Sequence, residues 1–171
     1  MGNPQERSLS WLAGVLEAEG SISVQAYIMN KKGGNLRLTP FVCLVNTDEA
    51  IINEAMRIMQ MILAEDDRAK PRICGHGGTN RKCANLRIDG VACATIIAAI
   101  YPYMIGEKRR NAEVVLQYIN GRKNSLFIRD KLGRLQRNGY TKAEIDLVCS
   151  IRQHKTAKSS ETLCQAPNVL G

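Results

Sequence analysis

The chain of 171 residues has no apolar run near the roughly 20 residues that a membrane-spanning helix needs. Its N-terminus also lacks the apolar core of a secretory signal peptide. We therefore expect a soluble intracellular protein without a membrane partner, in the cytoplasm or nucleoid, or in an organelle if the source is a eukaryote. The length predicts a single domain over residues 1–171.

The six cysteines are scattered along the chain and include no CxxC pair. Cys74, His76 and Cys83 could contribute to a zinc site, but a fourth ligand is missing and the spacing fits no familiar motif. The pattern favours buried or idle thiols. The sequence leaves open disulfides in a chain from a hyperthermophile.

Acidic residues are missing from two stretches of an otherwise mixed sequence. Residues 21–46 contain three basic residues and no acid, and residues 68–88 contain six basic residues and no acid. The whole chain has 24 basic and 16 acidic residues and a net charge of +8, so the excess positive charge is concentrated in these two segments. Two basic segments without acids indicate a surface that binds a polyanion.

Hydrophobic periodicity predicts the order helix, hairpin, helix, hairpin, helix, helix over about residues 8–120. The first helix is predicted from about Ser8 to Ala18, and the second is capped by Asn46 or Thr47. Asp89 is predicted to open the third helix, and Gly121 to end the fourth. Beyond it, residues 121–171 form a helical extension in which Thr141 to Glu144 is a capping box. Four antiparallel strands with helices on one face define an α+β fold.

The strands alternate between apolar and polar residues, which predicts one buried and one exposed sheet face. Such a sheet can enter the major groove of DNA, where arginine and amide side chains read base edges. An ordinary solvated sheet face is the alternative. The residues that we predict to contact DNA are Ser21, Ser23, Gln25, Tyr27, Lys31, Lys32, Arg37, Thr39, Lys70, Arg72, Arg81, Asn85 and Arg87.

The nine residues LAGVLEAEG, from Leu12 to Gly20, place two glutamates at the end of an apolar helix. The helix dipole disfavours negative charge at that end. The segment resembles the LAGLIDADG motif of homing endonucleases, and the element order resembles the αββαββα core of that family, with its saddle-shaped sheet. This chain has glutamate where the motif name has aspartate at both acidic positions.

The resemblance implies a metal-dependent endonuclease that makes double-strand breaks during the homing of an intron or other mobile element. Since only one motif is present, it implies a homodimer that cuts a long, nearly palindromic DNA site. Gly14 and Ala18 lie four residues apart on one helix face, as close packing of two motif helices requires. The predicted dimer interface comprises Leu12, Ala13, Gly14, Leu16 and Glu17.

The resemblance also implies the catalytic residues. Glu19 and the backbone carbonyl of Ala18 would hold Mg²⁺, and Ca²⁺ is expected to support binding without cleavage. Asn46 aligns with the polar residue at the end of the second strand, and Lys108 aligns with the family's basic residue; Arg109 or Arg110 could replace Lys108 if the register differs by one. An RNA maturase that assists splicing and a DNA-binding regulator without cleavage are the alternative functions.

Overall fold

A computed structural model of the chain describes residues 3–28, 36–63, 71–76, 83–124, 127–129, 135–137 and 139–152. The helices are α1 (Pro4–Glu19), α2 (Glu49–Ile62), α3 (Ala92–Ile100), α4 (Glu107–Asn124) and α5 (Lys142–Arg152), with a short 3₁₀ helix at Tyr101–Tyr103. The strands are β1 (Gly20–Ile28), β2 (Leu36–Asn46), β3 (Arg72–His76), β4 (Cys83–Asp89), β5 (Phe127–Arg129) and β6 (Leu135–Arg137).

The first four strands form one antiparallel sheet in the order β1-β2-β4-β3. The hairpins β1-β2 and β3-β4 join at the centre, where β2 pairs with β4 and Cys43 lies opposite Arg87. At the outer edges, Ser23 lies opposite Phe41 and Arg72 opposite Arg87. This arrangement confirms the α+β class predicted from the sequence.

Alternation along the strands separates the two sheet faces as the sequence predicts. Ile22, Val24, Leu38, Val42 and Leu44 are buried on the inner face, against α1, α2, α3 and α4. Residues of opposite parity are partly or fully exposed on the other face. Because side chains alternate between the two faces, a shift of one residue in register would expose this entire set. Each Å² of apolar area that is buried contributes about 25 cal/mol, so the buried set favours the observed register.

Several predicted element boundaries are wrong, for local reasons. Helix α1 begins at Pro4 rather than near Ser8, because Asn3 accepts a hydrogen bond from Gln5 N–H and Pro4 fits the first turn. Asp48, not Asn46 or Thr47, caps α2 by accepting from Ala50 N–H at 2.8 Å. Helix α3 starts only at Ala92.

Two further boundaries differ from the prediction. Asp89 is the last residue of β4 instead of a helix cap, and the chain leaves the strand through Gly90, whose φ of 81° suits glycine. Helix α4 continues past Gly121 to Asn124. An interior glycine costs a helix about 1 kcal/mol relative to alanine, which the packing of α4 outweighs here.

The C-terminal region packs on the core through α5, which contacts α4 and β1. The predicted capping box is confirmed, since Glu144 accepts from Thr141 N–H and Thr141 Oγ1 accepts from Glu144 N–H. The β5-β6 hairpin ahead of it was not predicted. The Tyr140 hydroxyl accepts a hydrogen bond from Leu38 N–H, which joins this region to β2. The Tyr118 hydroxyl of α4 donates a hydrogen bond to Leu38 O.

Cys93 is fully buried, and its thiol lies 3.2 Å from Ile88 O and 3.6 Å from Pro40 O. Burial raises the pKa of the Cys93 thiol to about 12, so it stays a neutral core residue rather than a reactive thiolate. This agrees with the expected idle thiols. None of the helices in the described ranges is long and apolar enough to cross a bilayer.

Candidate active site

Glu19 and Asn46 meet where α1 ends, β1 begins and β2 ends. The Asn46 side-chain amide donates to Glu19 Oε2, and Asn46 Oδ1 accepts from Asp48 N–H at 2.8 Å. Because the backbone N–H of Asp48 occupies the amide oxygen, the NH₂ group of Asn46 has to face the carboxylate. Glu19 is exposed. Two residues separated by 27 positions thus form one oriented, solvent-accessible carboxylate site.

Lys108, in the first turn of α4, reaches the C-terminal end of α1. Its Nζ donates to Leu16 O at 2.9 Å and to Glu17 O at 2.6 Å. The last carbonyls of a helix lack intrahelical partners and carry partial negative charge, which a lysine ammonium compensates. The structure therefore directs the ammonium of Lys108 at the backbone of the motif helix, near its C-terminal end.

Glu17 makes the reciprocal contact. Its Oε1 accepts from Gly106 N–H at 3.1 Å, immediately ahead of α4. A Cβ at position 106 would lie 2.5 Å from Glu17 Oε2, so glycine makes room for the carboxylate. The acid at the end of α1 thus lies at the positive end of α4, while the lysine of α4 lies at the negative end of α1. This exchange explains how α1 tolerates Glu17.

Gly20 allows the abrupt change from α1 to β1. A Cβ built there would lie 2.8 Å from Leu16 Cα and 2.9 Å from Leu16 O, both backbone atoms that cannot move aside. We expect Gly20→Ala to lower the free energy of unfolding by about 1–3 kcal/mol, measured by thermal or urea denaturation. Gly121→Ala is the control because nothing lies within 4 Å of its Cβ position. Equal stability of the two variants would contradict the close approach.

The contacts of Lys108 predict a stabilising role that its neighbour Arg110 does not share. Lys108→Met keeps most of the apolar stem and removes both bonds to α1. We expect the free energy of unfolding, measured by urea denaturation, to fall by about 1–2 kcal/mol. This value is at the low end for hydrogen bonds of a charged group because Lys108 is only half-buried. Arg110→Met, on an exposed position two residues along α4, should change stability by less than about 0.5 kcal/mol. If Lys108→Met left the free energy of unfolding unchanged, these contacts would not contribute to stability.

The alternative basic residues have other environments. Arg109 donates to Met104 O at 3.0 Å and lies 4.5 Å above the Tyr101 ring. Arg110 is exposed. Of the three candidates, Lys108 is the one whose ammonium contacts the motif helix.

The predicted DNA-contacting residues that the structure describes share the outer sheet face. On β1 and β2 these are Ser21, Ser23, Gln25, Tyr27, Arg37 and Thr39; on β3 and β4 they are Arg72, Asn85 and Arg87. Asn85 Oδ1 is buried and has no hydrogen-bond partner among the described residues. Lys31, Lys32, Lys70 and Arg81 lie outside the described residues, as do the side chains of Cys74 and His76.

One acid lies on this face, contrary to the expected absence of acids there. Asp89 Oδ1 accepts from Arg87 and Asp89 Oδ2 accepts from Arg72, at 2.8 and 2.9 Å. The sequence pattern predicted Asp89 as the start of a helix and did not indicate that its carboxylate lies on the sheet face. Its parity with Arg87, two residues earlier on β4, was the signal that could have placed it on the outer face.

The predicted dimer interface needs correction. Leu12, Ala13 and Leu16 are 0% exposed because they pack into the core of their own chain, so no partner can reach them. Gly14 and Ala18 are exposed on the opposite side of α1, with Trp11 at its edge. Glu17 is partly exposed and is bound to Gly106. Leu12, Ala13 and Leu16 therefore belong to the core, and Gly14 and Ala18 belong to the accessible face.

The donor set at the end of α1 fits a hard divalent cation. Mg²⁺ prefers oxygen ligands and commonly takes one or two carboxylates while retaining water or phosphate oxygens. The Glu19 carboxylate and the Ala18 carbonyl are ligands of this type. Within the described part of the chain, no group of three or more His, Cys, Asp or Glu could hold a metal by itself. A cation here would need oxygens from a phosphate, water or a second copy.

Comparison with solved structures identifies the class of fold. The chain matches the archaeal intron-encoded homing endonuclease I-Vdi141I in complex with DNA with a TM-score of 0.58, at 18% identity, over 90% of this chain and 87% of that one. It matches I-CvuI in complex with the I-CreI target in the presence of Mg with a TM-score of 0.56, at 19% identity, over 70% of both chains. I-TnaI matches with a TM-score of 0.57, at 13% identity, over 96% and 95%.

The sequence matches no protein-family model and no curated protein. The structural matches show that the chain has the fold of the LAGLIDADG homing endonucleases. The resemblance that the motif indicates is thereby confirmed at the level of the fold, including its helices on one face of a four-stranded antiparallel sheet.

Proposed function

We propose that this protein is a site-specific endonuclease that makes a metal-dependent double-strand break in DNA during homing of an intron or another mobile element. The observation that carries the proposal is the placement of Glu19. An exposed carboxylate stands at the end of the motif helix, oriented by Asn46, next to a sheet face rich in arginine and amide groups. A protein that only binds DNA has no need of a carboxylate beside the phosphates of the DNA.

Glu19 and the carbonyl of Ala18 would hold Mg²⁺ in this function. The bound cation would supply positive charge to the scissile phosphodiester and lower the pKa of an attacking water. Asn46 fixes the Glu19 carboxylate through its amide, and Lys108 fixes the end of α1 that carries it. Both residues act by positioning Glu19. We expect Ca²⁺ to support binding, since it takes the same oxygen ligands with looser geometry.

We infer that two copies of the chain join through the exposed face of α1. Gly14 and Ala18 leave room for a second motif helix, and Trp11 is 37% exposed beside them. Ile105, which sequence reasoning missed, is 91% exposed, next to the glycine that binds Glu17. A two-fold axis along this face would bring the two Glu19 residues together. The DNA target would then be long and nearly palindromic.

The outer sheet face would bind the DNA. Each half-site would meet the side chains of β1, β2, β3 and β4 that alternate outward, and strands of this kind fit the major groove. The neighbours I-Vdi141I and I-CvuI are complexed with DNA. The basic residues between the paired strands in the sequence would add phosphate contacts, which position the protein without reading sequence.

The function can be tested on a target that the protein itself selects. Sites are selected from a double-stranded library with a randomised central segment, using the full chain in Ca²⁺, and the best site is cloned into a plasmid. We expect Mg²⁺ to convert the supercoiled plasmid to the linear form, with no product in EDTA or on a scrambled site. Tight binding without linear product would instead show a DNA-binding regulator, and preferential binding of intron RNA would show a maturase.

A further inference from the structure

On the outer sheet face, a continuous polar network links side chains of β1, β4 and β3 and passes over β2. Arg87 NH2 donates to Gln25 Oε1 at 2.7 Å, and Arg87 Nε donates to Asp89 Oδ1 at 2.8 Å. Tyr27 donates to the same Gln25 oxygen at 2.6 Å, and Arg72 binds the other oxygen of Asp89. Arg87 is therefore held on two sides, by a carboxylate within its own strand and by an amide from β1.

A stacking contact fixes the guanidinium from a third direction. The Arg87 guanidinium carbon lies 4.3 Å from the centre of the Phe41 ring on β2. Burial opposes the charge, but the hydrogen bond and charge of Asp89 outweigh it and raise the pKa of Arg87. An arginine with its plane and its position both fixed loses little conformational entropy when it binds a planar partner. Such an arginine is suited to recognition more than to loose phosphate contact.

The network determines which groups remain for a ligand. The Gln25 oxygen already accepts two hydrogen bonds, and each Asp89 oxygen accepts one from an arginine. At the centre of the network, the remaining N–H donors of Arg87 and the Gln25 amide are therefore open to a ligand. In the major groove, guanine presents two adjacent acceptors, N7 and O6, whereas cytosine presents a donor and adenine one acceptor beside a donor. The N–H donors of a fixed arginine beside an amide fit these two acceptors of guanine best.

Exposure separates the two arginines that bind Asp89. The side chains of Arg87 and Asp89 are 21% and 24% exposed, whereas Arg72 is 68% exposed. Exposed ion pairs contribute little, so Arg72 can leave Asp89 for a phosphate at small cost. The less exposed Arg87–Asp89 pair should persist. Asp89 also removes one positive charge from the face, which weakens attraction to any DNA regardless of its sequence.

We propose that Asp89 is a specificity-determining residue that positions Arg87 to bind one guanine in each half of the DNA target. The proposal rests on the proposed function in requiring that two copies bind duplex DNA through this face, and it does not require cleavage. Arg87 makes the contact with the base, and Asp89 and Gln25 fix its guanidinium. In this network Asp89 has a specific effect: it lowers the affinity for random DNA and raises the discrimination between DNA sequences.

The contact of Arg87 is tested by site selection and by an altered base. The wild-type chain should select guanine at one position of each half-site, and Arg87→Lys, which keeps the charge but loses the planar fork, should lose that preference. Its affinity should fall roughly 5- to 150-fold for each half-site, the value of one bidentate base contact, and therefore about 30-fold or more for a site that two copies occupy. Replacing that guanine by 7-deazaguanine should weaken the wild type but not Arg87→Lys. Unchanged selection by Arg87→Lys would overturn the proposal.

The role of Asp89 is tested by Asp89→Asn, which keeps the shape and removes the charge. We expect its preference for guanine to fall about 5-fold or more, while binding to random duplex becomes tighter. Arg37→Ala, at an exposed position on β2 outside this network, is the control and should leave the preference for guanine at the Arg87 position unchanged. If Asp89→Asn behaved like a general change of charge, with selection unaltered, Asp89 would have no part in specificity.

Failure of the two proposals can be told apart. If the wild-type chain selects no sequence and binds no duplex, the proposed function fails. If it selects and binds a site but Arg87→Lys and Asp89→Asn select the same bases, only the recognition network fails. Thermal denaturation of both variants verifies that they are folded, so that a lost preference reports recognition rather than unfolding.

Discussion

Replacing Glu19 by Gln should abolish DNA cleavage while leaving DNA binding intact. The amide keeps the size of the side chain but removes the negative charge that would hold Mg²⁺ beside the phosphate. Metal stabilisation of the transition state is worth several kcal/mol, so the cleavage rate should fall roughly 1,000-fold or more. Binding in Ca²⁺ should stay within about 10-fold of the wild type or tighten, because one negative charge near the phosphates is lost. Plasmid linearisation and fluorescence anisotropy measure the two effects.

The control for this prediction is Glu6→Gln. Glu6 lies in the first turn of the same helix and is exposed, at the opposite end from the candidate site. The same chemical change there should leave cleavage within about 2-fold of the wild type. If Glu19→Gln continued to linearise the plasmid, Glu19 would not be a metal ligand. If it lost binding as well as cleavage, its role would be structural, and the assigned chemistry would be wrong.

The second large effect is expected from Gly14→Leu, which should separate the two copies without unfolding either. Outside its own helix backbone, no atom of the single chain lies within 4 Å of a Cβ at position 14, and the position is exposed, so we expect a larger side chain there to extend into solvent. Leucine is also a better helix former than glycine by about 1 kcal/mol. At a two-fold interface both copies change, and overpacking of about 1–3 kcal/mol at each should weaken association by roughly 30-fold or more. Sedimentation equilibrium measures the association, and cleavage should disappear with it.

Gly121→Leu provides a matched control. Gly121 is also helical and exposed, and a Cβ there likewise meets nothing within 4 Å. The two variants should have equal or slightly raised melting temperatures, but only Gly14→Leu should be monomeric and inactive. A dimeric, active Gly14→Leu would place the interface elsewhere. If both variants lost association, the effect would come from helix stability rather than from contact between motif helices.

Much of the fold could be predicted because its signals are local and periodic. Alternation from Ser21 to Asn46 identified both strands of the first hairpin and their buried face, which the structure confirms. Helix boundaries were less predictable because competing caps lie close together. Asp48 follows two other candidate caps, and only the fold decides which side chain turns back to its backbone. Gly121 resembles a helix end in sequence but lies inside α4.

The candidate site could likewise be predicted from the sequence only in part. The motif and the end of β2 could be located from sequence, so Glu19 and Asn46 were expected together, and the structure joins them. The exchange of Glu17 and Lys108 between two helix ends depends on how α4 docks against α1, about 90 residues away in the chain, and no local pattern contains it. For the same reason the sequence did not show which motif residues enter the core of their own chain.

The pairing of Asp89 with two arginines also escaped the sequence reasoning. Strand β4 was expected to end at Ile88, so the next residue was assigned to a helix. One further residue of strand places the carboxylate on the outer face, between residues that are 2 and 17 positions away. A boundary error of a single residue therefore changes the chemistry assigned to a surface.

A crystal structure of the full chain with its selected duplex and Ca²⁺ would test the central claim most directly. We expect two copies related by a two-fold axis, with both Glu19 carboxylates bound to cations that touch phosphates of opposite strands. A single copy on the duplex, or carboxylates at position 19 turned away from the backbone of the DNA, would contradict it.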